Sequence, residues 1–304
     1  MSTKETKKRI RTTGAAFDYI WEHQWKLQKA AGTQAINRDH VLDYCGKSFP
    51  LNNWEEGWAW DELRNHYRKK KPFAEDSTIN RVTASIQAAI NFCNGRGLTT
   101  VTPSKEGAKK LKETKKRHDY FTREEVAEFS RIAREFYCNL PLSRAITVSA
   151  YTGMRQAELL RLRTIDIDFE YTRPTIWVGG KPGVDTKNSE YREVTMFNDQ
   201  LLAACRGLVS DQPNPEKRVL YPHYVKGKGL LHDFREVLET YGGKYENRSE
   251  HYYWHTLRHT FASWAGETQS PATIAAYGGW KDVSQVVRYC HATDEARNAL
   301  ASSL

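Results

Sequence analysis

The segment WHTLRHTFASW carries two histidines and an arginine at spacings that suit one face of a helix. His255 and His259 are four residues apart, and two histidines at this spacing can bind one metal ion. A zinc hydrolase of that kind needs the pattern HExxH, in which the glutamate activates water. Here Thr256 stands in the place of the glutamate, and the fixed positive charge of Arg258 would oppose a bound Zn²⁺. The segment therefore disfavours a metal site.

The same helix face suits a phosphate group better than a metal ion. An arginine offers a planar fork of N–H donors to two non-bridging oxygens, and a histidine offers a proton donor or acceptor. Arg258 and His255, three residues apart, could bind one phosphate from one side of a helix. A helix with a surface arginine and a buried histidine gives the same pattern, so HxxR on its own is weak evidence.

Three other segments supply residues that suit phosphate chemistry. YTGMRQAELLRL places Arg155 just after a glycine turn, with Glu158 three residues later. TKNSEYREV places Lys187 in a predicted hairpin. YGGWKDVSQVVRYCHAT carries Trp280 and, nine residues later, Tyr289. Together with the HxxR segment they form an ordered set that is far more specific than any one of its members.

This ordered set resembles the tyrosine recombinases of the phage integrase type. That family carries an arginine after a TG(M/L)R turn, a lysine in a β-hairpin, an HxxR helix, a histidine or tryptophan after a glycine, and a tyrosine some nine residues beyond. The resemblance covers about residues 119 to 291. Most members have histidine where this chain has Trp280. An indole N–H can donate a hydrogen bond and pack against the nucleophile but cannot shuttle a proton.

The resemblance implies that the chain transfers DNA strands through a 3′-phosphotyrosine. The implied catalytic residues are Arg155, Lys187, His255, Arg258, Trp280 and Tyr289. The tyrosine would attack the scissile phosphate, and the two arginines would bind the non-bridging oxygens as negative charge builds. Because the bond energy stays in the covalent ester, the reaction would need neither ATP, another cofactor nor a metal ion.

The remaining roles implied by the resemblance concern proton transfer and support. His255 would orient the phosphate and assist proton transfer from the tyrosine, and Lys187 would protonate the leaving 5′-oxygen. Glu158 would hold Arg155 or neighbouring side chains in place. Tyr277 is the nearest rival nucleophile, but it precedes the Gly-Trp element of the family pattern.

The elements that must position these residues are predicted to be mainly helical. STINRVTASIQAAINFC has an apolar stripe at helical spacing, with Ser77 as its predicted cap. TREE is a capping box that begins a second domain at Thr122, and Met154 to Leu162 can form a further helix. TIDIDF, TIWVGG and EYREVTM predict three strands. With the resemblance, the expected fold is mainly α with a small antiparallel β-sheet, in which a helical core-binding (SAM-like) domain precedes a tyrosine-recombinase catalytic domain.

The net charge of +9 is concentrated in two short basic runs. Residues 1–11 contribute +4 and residues 105–117 contribute +5, so the rest of the chain is formally neutral. The second run is expected to contact the DNA backbone, because lysines there would release counterions. Its expected DNA-binding residues are Lys109, Lys110, Lys112, Lys115 and Lys116. The predicted organisation is a basic N-terminal tail (1–12), a helical core-binding domain (13–102), a basic linker (103–118) and the catalytic domain (119–304).

These features favour a site-specific recombinase, the integrase of a phage or related mobile element. A type IB topoisomerase-like or telomere-resolving enzyme would use the same chemistry, whereas a protein that only recognises or bends DNA would not cut it. A metalloprotease is a more remote alternative. The expected partners are double-stranded DNA attachment sites, further copies of the chain in a tetramer on DNA, and host DNA-bending and directionality factors.

The composition also indicates the cellular compartment of the protein. Five scattered cysteines without pairing spacing indicate reduced thiols, and no apolar run is long enough for a membrane span. The N-terminal residues lack the apolar segment of a signal peptide. A cytoplasmic location in a bacterial host, without membrane contact, is therefore expected.

Overall fold

The computed structural model describes residues 9–113, 119–181, 191–248 and 252–290. The chain divides into two compact units, Met1–Lys116 and Arg117–Leu304. Each unit buries a hydrophobic core of its own.

The first unit consists of helices packed around buried tryptophans and aliphatic side chains. Its helices are α1 (Thr13–His23), α2 (Ala31–Cys45), α3 (Gly57–Lys70) and α4 (Asp76–Asn94). Trp54 and Trp60 are fully buried, and their rings pack edge to face with 5.3 Å between centroids. Ile79, Ile86 and Ile90 are also fully buried in this core, so the predicted apolar stripe of α4 is confirmed.

The start of α4 differs from the prediction. Its N-cap is Glu75, whose extended backbone (φ −69°, ψ 148°) precedes the first helical residue, Asp76. Ser77 therefore lies inside the first turn, and its predicted role as the cap is wrong. The negative charge of Asp76 in that turn interacts favourably with the positive end of the helix dipole, which stabilises this start without a serine cap.

The described part of the basic run lies along the first unit. Arg64 of α3, which is 8% exposed, donates from Nη2 to the carbonyl oxygens of Gly107 (2.6 Å) and Lys109 (2.7 Å). Asn80 of α4 donates from Nδ2 to the carbonyl of Leu111 (3.0 Å) and accepts its N–H (2.8 Å). The run is thus fixed to two helices, and the boundary between the units, at 116/117, falls near the end of the predicted linker.

The second unit combines helices with one small sheet. Its helices are α5 (Arg123–Glu135), α6 (Leu140–Thr152), α7 (Gln156–Leu159), α8 (Asp199–Asp211), α9 (Gly227–Tyr241), α10 (Trp254–Gly266), α11 (Pro271–Gly278) and α12 (Ser284–Val287). Its strands are β1 (Ile167–Asp168), β2 (Thr175–Val178) and β3 (Arg192–Thr195), which pair antiparallel in the order β1-β2-β3. The predicted fold class, mainly α with a small antiparallel sheet, is confirmed.

Local sequence signals determine two helix ends, the start of α5 and the end of α6. Thr122 accepts the N–H of Glu125 and Glu125 accepts the N–H of Thr122, so the predicted capping box of α5 is confirmed. Helix α6 ends at Gly153, whose φ of 62° is left-handed. A Cβ at Gly153 would lie 2.4 Å from Cδ1 of Phe261, so the turn that leads to Arg155 requires glycine.

Helix α10 carries the HxxR segment and is tied to the start of the second unit. Trp264 donates from Nε1 to the carbonyl of Phe121 (3.1 Å), and Thr260 Oγ1 accepts the Phe121 N–H (3.0 Å). Trp254 and Leu257 lie in the main core of the unit. The helix is therefore fixed along its buried side, which is what a helix needs if it is to hold reactive side chains in place.

Candidate active site

Arg155 stands at the start of α7, where Glu158 holds both its backbone and its side chain. Arg155 is the N-cap residue, and its N–H donates to Glu158 Oε2 (2.9 Å). Its Nη1 donates to Glu158 Oε1 (2.8 Å), and its Nη2 donates to the carbonyl oxygen of Gly279 (3.0 Å). The Arg155 side chain remains 45% exposed, so its guanidinium is both held in place and accessible to a ligand.

Glu158 has a second cationic partner, Arg192 of β3. Arg192 donates from Nη2 to Glu158 Oε2 (2.9 Å) and from Nε to the carbonyl of Tyr277 (3.0 Å). Burial raises the pKa of Glu158, but the hydrogen bond and charge of Arg192, with the bonds from Arg155, outweigh burial and lower this pKa to about 2. The carboxylate is therefore ionised at neutral pH and balances part of the charge of two arginines.

The structural role of Arg192 was missed from sequence, although a signal for it exists. Residues two apart on a strand share a face, and Val194, two residues after Arg192, is fully buried. An arginine on the buried face of a strand requires an acidic partner and carbonyl acceptors. Glu158 and Tyr277 provide these.

Arg258 is buried beneath Trp280. It is 2% exposed, and its guanidinium carbon lies 3.5 Å from the centroid of the indole ring. Nη1 donates to the carbonyls of Gly153 and Gly278, the latter at 2.6 Å. Nη2 is buried and makes no hydrogen bond within the part of the chain that the structure describes. Burial, reinforced by the charge of Arg155, lowers the pKa of Arg258 to about 9, so the guanidinium is still charged at neutral pH.

The two arginines of the predicted site are brought together by consecutive carbonyls. Arg258 donates to the carbonyl of Gly278, and Arg155 donates to that of Gly279. Trp280 follows directly, and its ring stacks on Phe261 with 6.3 Å between centroids and 13° between planes. One glycine turn thus supplies an anchor for each guanidinium and an aromatic cover for one of them.

The histidines of α10 lie next to each other and next to the predicted nucleophile. The rings of His255 and His259 meet edge to face, 4.9 Å apart at 89°. His259 Nδ1 shares a hydrogen bond with the hydroxyl of Tyr289, and the two rings stack with 5.6 Å between centroids and 27° between planes. The family resemblance implies a role in proton transfer for His255, and the structure places the tyrosine hydroxyl in a hydrogen bond with His259.

Tyr289 lies just after α12 and is 7% exposed. Its N–H donates to the carbonyl of Val286 (2.9 Å), and its own carbonyl oxygen would be 2.3 Å from a Cβ at Gly266, the end of α10. Burial raises the pKa of Tyr289 to about 12, against the opposing charges of Arg288 and Arg258. The phenol is therefore neutral at pH 7.

Tyr277, the rival nucleophile named from sequence, and the lysine nearest to Lys187 both have other partners. The hydroxyl of Tyr277 donates to the carbonyl of Thr195 (2.9 Å), and burial raises the pKa of Tyr277 to about 12. Lys181, the lysine nearest to Lys187 along the chain, donates to the carboxylate of Asp168 (2.6 Å). Both side chains are thus engaged in contacts that support the fold.

Several predicted residues lie outside the described part of the chain. Lys187 is within residues 182–190, and Lys115 and Lys116 are within residues 114–118. Of the predicted DNA-binding lysines, Lys109, Lys110 and Lys112 are described, and all three are exposed.

The described residues contain neither a candidate metal-binding group nor a helix that could span a membrane. No group of three or more His, Cys, Asp or Glu side chains comes together there in a way that could hold a metal ion. Among the described helices, none combines the length and the apolar character that crossing a membrane requires.

The family model described as "Phage integrase family" matches residues 119–296, more than half of the chain. This chain belongs to the phage integrase family. Among curated relatives, the integrase of Salmonella phage P22 is 26% identical over 169 residues. That alignment covers 51% of this chain and 40% of the relative, so the chain matches less than half of the relative's length.

Solved structures of other integrases share the fold. The Tn1549 transposon integrase, in complex with transposon right end DNA, matches with a TM-score of 0.74 at 17% identity, over 96% of this chain and 99% of that one. A lambda integrase dimer bound to a COC′ core site matches with a TM-score of 0.73 at 14% identity, over 94% and 79% of the two chains. The predicted tyrosine recombinase fold is confirmed by these likenesses.

Proposed function

We propose that this member of the phage integrase family is a site-specific DNA recombinase that cleaves and rejoins duplex DNA through a 3′-phosphotyrosine at Tyr289. The observation that carries the proposal is the pair of guanidiniums, Arg155 and Arg258, fixed on the consecutive carbonyls of Gly278 and Gly279. Two fixed cations of this kind suit the two non-bridging oxygens of one phosphodiester. Tyr289 is linked to the same helix, through the residue next to Arg258.

The reaction follows from the chemistry of these groups. The Tyr289 oxygen forms a bond to phosphorus, and the bond from phosphorus to the 5′-oxygen breaks. The two arginines stabilise the negative charge that builds on the phosphate oxygens in the transition state. Lys187 protonates the leaving 5′-oxygen. The ester to tyrosine conserves the energy of the phosphodiester, so a 5′-hydroxyl from another strand can reverse the step without a nucleotide cofactor.

A covalent adduct on nicked DNA tests this function. In a library of duplexes with random core sequences, a nick just 3′ of each candidate scissile phosphate lets cleavage release a short fragment that carries the 5′-hydroxyl, and this traps the adduct. We expect protein joined to DNA 3′ ends that survives denaturation, and we expect the trapped sequences to support strand exchange between two sites. Relaxation of supercoiled DNA without exchange would favour the topoisomerase-like alternative, and binding without an adduct would favour a non-catalytic DNA-binding protein.

Cleavage is expected to be independent of metal ions. His255 and His259 lie at a spacing that can bind a metal ion, but the charged Arg258 stands between them in the sequence and His259 is hydrogen-bonded to Tyr289. Adduct yield should therefore be unchanged by EDTA at fixed ionic strength, measured on denaturing gels. Loss of the adduct on chelation, with recovery on adding Zn²⁺, would contradict the assignment of this helix to phosphate binding.

The partners follow from the proposed reaction. They are double-stranded DNA attachment sites, further copies of the chain that assemble with it as a tetramer on DNA, and host DNA-bending and directionality factors. A lambda integrase tetramer bound to a Holliday junction matches this chain with a TM-score of 0.69 at 14% identity, over 90% of this chain and 79% of that one. The reaction belongs in the cytoplasm of a bacterial host, where its DNA substrate lies.

The basic run at 105–117 is proposed to contact the DNA backbone. Its described lysines are exposed, while Arg64 and Asn80 fix the main chain beneath them. Replacing Lys109, Lys110 and Lys112 together by glutamine should weaken binding similarly on cognate and random DNA. The slope of log K against log salt should fall by about 0.9 for each lost phosphate contact, measured by anisotropy titrations over a range of salt.

A matched triple variant distinguishes the loss of a DNA contact from a general loss of positive charge. Lys26, Lys29 and Lys47 are exposed lysines elsewhere on the first unit, and their replacement by glutamine removes the same charge. This control should change the salt slope less than the triple variant in the basic run. An unchanged slope in the variant of the basic run would mean that its lysines do not touch phosphates.

A further inference from the structure

The hydrogen bond between His259 and Tyr289 places a histidine that is not part of the family pattern next to the proposed nucleophile. We infer that His259 takes the proton from the Tyr289 hydroxyl when this oxygen attacks the scissile phosphate, and returns the proton when the strand is rejoined. The inference rests on the proposed function, because it concerns the nucleophile of that reaction. His259 would then be a catalytic residue, since its Nδ1 contacts the reacting oxygen atom.

Contacts of both residues fix the geometry of the His259–Tyr289 pair. His259 lies on α10, one residue after the buried Arg258 and one before Thr260, which ties the helix to Phe121. Tyr289 is held by the bond from its N–H to the carbonyl of Val286. The rings stack at 27° with the hydroxyl at Nδ1 of the imidazole. A general base must reach the proton that it removes, and His259 meets this requirement before DNA is bound.

The environment of the phenol explains why a base is needed. Burial of Tyr289 opposes the charged phenolate and keeps the hydroxyl protonated at neutral pH. A neutral phenol that attacked without losing its proton would leave a positive charge on the oxygen of the new ester. A neutral imidazole with its proton on Nε2 has a lone pair at Nδ1, so it can accept the proton as the Oη–P bond forms.

The step balances with the groups already assigned. The electron pair of the Tyr289 O–H bond stays on oxygen as its proton moves to His259, which becomes an imidazolium. A lone pair of the same oxygen forms the bond to phosphorus, and the pair of the broken P–O5′ bond stays on the 5′-oxygen. That oxygen receives a proton from Lys187, which becomes neutral. His259 thus gains one positive charge and Lys187 loses one. Rejoining of the strand reverses both proton transfers.

The two histidines of α10 then have separate tasks. The ring of His255 lies edge-on to that of His259, one turn earlier on the helix, and the ring of Tyr253 stacks beside His255 with 6.4 Å between centroids. His255 keeps its proposed task of orienting the phosphate. His259 takes over the proton transfer from the tyrosine that the family resemblance had assigned to His255.

The test compares two substitutions at His259 in single-turnover cleavage of a nicked substrate. His259→Ala removes the imidazole, while His259→Asn keeps a polar group that can bond to the phenol but cannot accept a proton near neutral pH. We expect both variants to cleave roughly 10²–10⁴-fold more slowly than wild type, with DNA affinity unchanged. If the alanine variant does not fold, as judged by thermal unfolding, the asparagine variant decides alone. His232→Asn, at an exposed histidine of α9, is the matched control and should cleave normally.

A more acidic nucleophile distinguishes proton acceptance from positioning. Replacing Tyr289 by 3,5-difluorotyrosine lowers the pKa of the phenol, so the hydroxyl needs less help from a base to lose its proton. This replacement should raise the cleavage rate of His259→Asn by at least about tenfold and change the wild-type rate much less. A His259→Asn variant that cleaves like wild type, or one that the fluorinated tyrosine fails to speed up, would overturn the inference.

The same set of proteins separates this inference from the proposed function. If Tyr289→Phe still forms the adduct, the proposed nucleophile is wrong, whatever happens at His259. If Tyr289→Phe abolishes the adduct and His259→Asn is as fast as wild type, the proposed function stands and only the role of His259 is lost.

Discussion

Tyr289→Phe is expected to abolish the covalent protein–DNA adduct while leaving DNA affinity nearly unchanged. The substitution removes one oxygen atom, which is the proposed nucleophile and the partner of His259. The ring stays buried against its neighbours, so the fold and the two arginines should be preserved. Adduct yield on denaturing gels and equilibrium binding by anisotropy measure the two effects separately.

Tyr277→Phe is the matched control for this loss. It also removes one phenol oxygen, which is partly buried and donates to the carbonyl of Thr195. We expect this variant to form the adduct normally and to lose about 1 kcal/mol of unfolding free energy, because one partly buried hydrogen bond is gone. A normal adduct yield from Tyr289→Phe, or its loss only in Tyr277→Phe, would reverse the assignment of the nucleophile.

Lys187→Ala should show the second large effect, a loss of roughly 10²–10⁴ in cleavage rate. An alkoxide is a poor leaving group, so the 5′-oxygen must be protonated as it departs. A substrate with sulfur in place of this bridging oxygen removes the need for a proton donor, because a thiolate leaves without a proton. Lys187→Ala should therefore be slow on the normal phosphodiester and close to wild type on the sulfur substrate, in single-turnover assays.

Two further variants make the sulfur experiment specific. Arg155→Ala should stay slow on both substrates, because Arg155 acts on the non-bridging oxygens rather than on the leaving group. Lys181→Ala should cleave at nearly the wild-type rate, since Lys181 is paired with Asp168. Equal impairment of Lys187→Ala on both substrates would mean that this lysine positions the phosphate and that the proton comes from another group.

Secondary structure was predictable where the signal was local. The capping box at Thr122, the apolar stripe of α4 and the strands β2 and β3 follow from residues close in sequence. The predicted helix from Met154 to Leu162 is only the four residues of α7.

The segment TIDIDF shows how tertiary contacts shorten a predicted strand. Its alternation of apolar and polar residues predicted a strand, but Thr164–Asp166 forms a helical turn and β1 keeps two residues. Asp166 accepts the N–H of Arg163 (2.9 Å), and the N–H of Thr164 donates to the carbonyl of Lys217 (3.1 Å), about fifty residues away. Such distant partners are not visible in local patterns.

The candidate site was predictable from the sequence in its residues but not in their contacts. The candidate residues could be named from their types and order along the chain. Their partners could not, since His259 and Tyr289 are 30 residues apart and Glu158 and Arg192 are 34 residues apart. Only the packing of α10 against the segment after α12, and of β3 against α7, brings these side chains together. In the sequence, His259 therefore shows only its metal-binding spacing from His255, and its hydrogen bond to the tyrosine is not visible.

Identification of the residue joined to DNA is the most direct test of Tyr289 as the nucleophile. The wild-type adduct trapped on nicked DNA can be digested with nuclease and protease, and the nucleotide-bearing peptide sequenced by mass spectrometry. We predict a single modified peptide in which Tyr289 carries the 3′-phosphate of the cleaved strand. Attachment at Tyr277 or any other residue, or linkage through a 5′-phosphate, would contradict the account.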